Sequence, residues 1–92
     1  MVVTSHAKKR MKQRCGYNRK IAKKMAKKAL EHGIPHKELD GDLCKWVNRL
    51  YLSQRKANNI RIYGKEAYLF HYKTLLTVIP IPKELLEKGS DK

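Results

Sequence analysis

Two kinds of side chain in this 92-residue sequence bear on chemistry: imidazoles that move a proton, and guanidinium or ammonium groups that hold an anion. His6 and Arg10 stand at i and i+4, the spacing that puts two residues on one helix face. His71 and Arg61 lie in the C-terminal third, where the apolar pattern is strand-like. Imidazole loses its proton at about pH 6.5, close to working pH. A planar guanidinium donates two parallel hydrogen bonds to a phosphate. Together these residue types suit proton transfer beside a bound anion, with Arg10 a phosphate or structural contact before it is a catalyst. Each histidine also has a plainer reading. His6 fits an exposed position or packing partner in a first helical turn, and His71 an ordinary strand residue. There is no Gly-rich phosphate loop, G-x-S-x-G elbow or paired carboxylate. With 8 acids and none clustered, a two-metal nuclease or a glycosidase is disfavoured.

The larger signal is charge. Half of the 22 Lys and Arg precede residue 31, and no Asp or Glu occurs before Glu31. Asn18 is an N-cap residue and Gly33 a stop for a helix over 19–32. On it Ile21, Ala22, Met25, Ala26, Ala29 and Leu30 share one broad face, and Lys20, Lys23, Lys24, Lys27 and Lys28 share the other. Arg14 and Arg19 extend the basic surface. Lysines three and four apart repel one another and cost helix stability when no Glu lies between them. A face kept only for solubility would mix its signs, so the ridge points to an anionic partner.

The length fits one domain over 1–92, and the net charge of +14 favours nucleic acid. A membrane surface is the poorer partner, because the ridge helix carries Ala and Met where an interfacial helix would present Leu, Phe or Trp. No apolar run is long enough to span a bilayer and no signal-peptide core is visible, so a cytoplasmic protein is expected. Cys15 and Cys44 then read as reduced, packed thiols. A zinc site built from them with His32 and His36 lacks a C-x2-C knuckle, and Pro35 breaks the helix that would carry both histidines. No metal or cofactor is expected.

The elements that must position these groups follow from apolar period. Val2, Val3 and Thr4 suit an edge strand. Ser5 caps a first helix over 6–14, ended by Gly16, with Ala7 and Met11 inward and His6, Arg10 and Gln13 along another side. Residues 34–41 read as a connection. Asp42 caps a third helix to about residue 53, with Leu43, Val47, Leu50 and Tyr51 as its stripe and Trp46 as flanking core. Residues 54–59 are a polar loop.

After that the period becomes two. Residues 60–63, 67–72 and 75–79 read as strands of a meander stopped by Pro80 and Pro82. At the first hairpin a two-residue loop places Arg61 and Tyr63 beside Tyr68, Phe70 and Tyr72. A three-residue loop with a bulge places Ile60 and Ile62 there instead, and is preferred because it makes one face more apolar. His71 then shares the other face with Leu69 and Arg61. Residues 83–88 suit a last helical turn before a frayed tail. The fold expected is α+β: mainly helical over 1–55, with the helices on one face of an antiparallel sheet of three to four strands over 60–82.

With Val2-Val3-Thr4-Ser5-His6-Ala7-x-x-Arg10, a second basic helix and a last strand Leu75-Leu76-Thr77-Val78-Ile79, the chain resembles the RelE-like toxin superfamily. Its nearest likeness is to small bacterial and phage proteins of that type. The resemblance implies helices packed on a curved antiparallel sheet and, often, metal-independent RNA cleavage, with an antitoxin as a possible partner. The third helix departs from the leanest members of the family. Attack of a 2′-hydroxyl on phosphorus needs a base, an acid and cations on the phosphate, roles open to His6, Arg10, Arg61 and His71 if they converge. Three function classes therefore stand: an RNA-favouring nucleic-acid-binding module, which is preferred; a RelE-like ribonuclease toxin; and a phage or mobile-element inhibitor of a protein or ribonucleoprotein.

Overall fold

Strand pairing and one threonine hydroxyl link the start of the chain to its last strand in the computed structural model, which describes residues 2–85 with the Cys15 side chain excepted. Strand β1 (Val2–Val3) leads into helix α1 (Ser5–Cys15). Thr4, not Ser5, is the N-cap. Its Oγ1 accepts from the Ala7 N–H at 3.1 Å and donates to the Leu76 carbonyl at 2.9 Å. The position that satisfies both groups takes the capping role. Gly16 ends α1 in the left-handed conformation, and Asn18 caps helix α2 (Arg19–His32) by accepting from the Ile21 N–H at 2.9 Å.

Gly33 ends α2 as the sequence predicts, but for a different reason. Its φ is −64°, which any residue adopts. A side chain there would bring its Cβ to 2.3 Å from the Ala29 carbonyl oxygen and 2.9 Å from Arg61 Cβ. Glycine is needed for close approach rather than for a left-handed turn. The expected connection over 34–41 holds a short strand β2 (Ile34–Pro35) and a 3-10 turn (His36–Glu38). Helix α3 (Gly41–Ser53) begins after Asp40 rather than at Asp42, with Gly41 at φ +62° as its first residue.

Strands β3 (Asn59–Tyr63), β4 (Glu66–His71) and β5 (Thr74–Pro80) form the expected antiparallel meander. The whole sheet has five strands in the order β1-β5-β4-β3-β2, and is mixed because β1 runs parallel to β5. The two added edges are two residues long, too short for a periodic signal. A bulge between Leu69/Phe70 and β5 leaves Leu76 as the extra residue, the one whose carbonyl Thr4 holds.

The helices do not share one face, as expected; they cover both. Ala7, Met11, Ala22, Ala26 and Ala29 of α1 and α2 pack with Tyr68, Phe70, Leu75 and Val78. Val47 and Leu50 of α3 pack on the other side with Ile60, Ile62, Ala67 and Leu69, joined by half-buried Trp46. Ile21, expected inside, is 41% exposed. Burial of both faces also overturns the preferred hairpin register. Tyr63 pairs with Glu66 and Arg61 with Tyr68, so the loop is Gly64-Lys65 alone. The bulged alternative assumed one apolar face. With two cores to fill, Ile60 and Ile62 serve α3 while Arg61 turns to α2. Residues 83–85 are helical; the rest of the expected last turn and the tail lie outside the described residues.

Candidate functional site

Strand β1 pairs with Thr74 and Leu75 of β5, and beyond that pairing a groove of about 730 Å³ opens along β5. Leu76, Thr77, Val78 and Ile79 line its floor. One wall is α1, whose residues His6, Arg10 and Arg14 fall at i, i+4 and i+8. The opposite wall is the end of α3 at Ser53 and the turn after it, with Gln54, Arg55 and Lys56. No carboxylate lines the groove among the described residues. His6, Arg14, Arg55 and Lys56 are exposed and Arg10 is half-buried, so the basic heads meet water over an apolar floor. Such a trough attracts a polyanion and holds it by phosphate contacts.

The second wall is fixed from the sheet. His71 Nδ1 lies 2.9 Å from the Lys56 carbonyl oxygen, which can only accept, so Nδ1 carries the proton in that bond. The Asn58 N–H donates to the Phe70 carbonyl at 2.9 Å, and Asn58 Oδ1 accepts from the Tyr72 N–H at 2.8 Å. Ala57 is buried beneath the turn. The sequence predicts a polar loop here but passes over Arg55 and Lys56. Their adjacency was the available signal, and it specifies nothing until the turn is seen folded back beside α1.

Of the four residues proposed for proton and phosphate chemistry, the groove brings together His6 and Arg10, while Arg61 and His71 are not among its lining residues. Arg61 points toward α2: its guanidinium donates to the Gly33 carbonyl at 3.1 Å and to Asn59 Oδ1 at 3.3 Å. His71 holds the wall from outside. On α2, Lys20, Lys23, Lys24, Lys27 and Lys28 are all exposed, as is Arg19. Buried Ala22, Ala26 and Ala29 bring that helix close to the sheet. Glu31, the first acid in the chain, sits 3.8 Å from His32.

A separate cluster joins the 3-10 turn to α3. His36 Nε2 meets Asn48 Oδ1 and lies 3.9 Å from Cys44 Sγ, with the Tyr51 ring 5.2 Å from the imidazole. Both contacts use the same ring nitrogen, so the three do not form a relay in which one nitrogen serves the thiol and the other the amide. Two members of the imagined zinc set thus meet, but no group of three or more metal-binding side chains occurs among the described residues. No helix of the described residues is long and apolar enough to cross a membrane. Comparison with protein-family models, curated proteins and solved structures found no match.

Proposed function

We propose that the protein binds nucleic acid, with RNA favoured over DNA, by laying phosphates in the groove between α1 and the turn after α3 and along the lysine ridge of α2. One observation carries this reading. Arg10, Arg14, Arg55 and Lys56 come from segments about forty residues apart and converge on one trough free of carboxylates. Helix packing does not require that, since α1 is held by Ala7 and Met11. An apolar floor beneath cationic rims admits sugar and base as well as phosphate. Contacts of this kind position a strand without reading its sequence.

The RelE-like ribonuclease is the second reading, supported by His6 and Arg10 sharing one wall of that groove. In it His6 moves the proton and Arg10 holds the phosphate, while Arg61 and His71 stay structural. Incubating the purified protein with mixed RNA in chelator separates the two. Retarded, intact RNA supports the binding module; cleavage abolished by His6→Ala, with RNA affinity retained, supports the ribonuclease. A protein that neither binds nor cuts RNA overturns both, and points to the inhibitor of a protein partner.

A further inference from the structure

Tyr72 fills with a bulky, exposed side chain a turn position that ordinarily takes glycine or asparagine. Its φ is +56°, a left-handed value that a bulky side chain rarely adopts, in the two-residue turn between β4 and β5. Glycine takes that conformation without strain. The residue is nevertheless 72% exposed, so little burial compensates the backbone. Its backbone is held and its ring has one neighbour. Asn58 Oδ1 fixes the Tyr72 N–H, and the ring stands edge-on to the His71 imidazole at 4.8 Å and 75°. That imidazole is tied to the Lys56 carbonyl, and Lys56 lines the groove. A strained and open aromatic ring thus stands outside the groove, joined to its second wall through the His71 imidazole and the Lys56 carbonyl. Strain retained under such restraint marks a place where geometry serves a ligand.

We infer that the Tyr72 ring is a stacking platform for an unpaired nucleobase of the strand whose phosphates occupy the groove. The inference rests on the nucleic-acid reading and adds to it a preference for single strands. In a duplex every base is already stacked and offers the ring no free face. Every base has a π-face, so the platform tolerates sequence.

The test uses three probes of one sequence and length: a single-stranded RNA, the same strand as a duplex, and a backbone in which abasic sites replace the bases. Tyr72→Ala is expected to weaken single-strand binding by roughly tenfold, the scale of one stacked base, and to leave duplex and abasic binding unchanged. Tyr72→Trp is expected to retain the affinity and to show fluorescence quenched on binding the single strand. Tyr72→Gly removes ring and strain together. It should melt a few degrees above the parent yet bind single strands as weakly as Tyr72→Ala, which excludes misfolding as the cause. If the parent binds all three probes and neither Tyr72→Ala nor Tyr72→Gly changes any of them, the platform is overturned and the groove stands. If the parent binds none of the probes, nor the DNA strand of the same sequence, the nucleic-acid reading falls and the platform with it.

Discussion

His71 Nδ1 and the carbonyl oxygen of Lys56 lie 2.9 Å apart, and this bond fastens one wall of the basic groove to the end of β4. A histidine that looks catalytic from its residue type therefore acts through the turn it holds. His71→Ala should leave the core intact and cost about 0.5–1 kcal/mol of stability, since the freed carbonyl turns to water. It should weaken RNA binding by roughly twofold to fivefold through a looser wall. Thermal melts and anisotropy titrations measure the two effects. A loss of affinity near a thousandfold would return His71 to direct contact with the ligand.

Arg61 and Gly33 form a structural pair at the opposite side of the sheet. Arg61→Ala removes the bond to the Gly33 carbonyl and should cost about 1–2 kcal/mol. Gly33→Ala forces a Cβ against the Ala29 carbonyl, and should cost about 1–3 kcal/mol as α2 and β3 separate. Neither should change RNA affinity by more than about twofold. Denaturant unfolding beside binding titrations decides. An Arg61→Ala protein with parental stability and no RNA affinity would contradict this assignment.

Thr4→Val deletes the hydroxyl that both caps α1 and holds the bulge at Leu76. The lost cap and the lost tie are each worth about 1 kcal/mol, together roughly 10 °C in Tm for a domain of this size. Thr4→Ser keeps both bonds and should melt near the parent. Equal melting of Thr4→Val and the parent would show that the link from α1 to β5 is immaterial.

The lysine ridge should contribute additively. Changing Lys20, Lys24 and Lys27 to Gln removes about three phosphate contacts and should flatten the single-strand salt slope by about 2, at roughly 0.7 per contact. All sequences should weaken alike. An unchanged slope would confine binding to the groove.

What could be read from the sequence was what each segment carries within itself. The α2 boundaries follow from Asn18 and Gly33, the inward alanines from helical period, and the change at residue 59 from alternation. Partnership across the chain was not legible. Nothing near Arg61 says that α3 covers the far face of the sheet, and that coverage decides the hairpin register. Two-residue edge strands carry too little pattern to read. His6 and Arg10 were visible as a helix face, whereas Arg14 was read only as part of the basic surface, and Arg55 and Lys56 belonged to a loop whose return depends on Asn58 and His71.

The most direct measurement is the salt dependence of single-stranded RNA affinity for the parent and for the combined Arg10→Gln, Arg14→Gln and Lys56→Gln protein. All three side chains line the groove, so the variant should fold as the parent does and bind RNA more weakly at every salt concentration. Its log–log slope should fall by about 2, the share of three phosphate contacts. A variant that keeps both the slope and the affinity of the parent would contradict the groove as the binding surface.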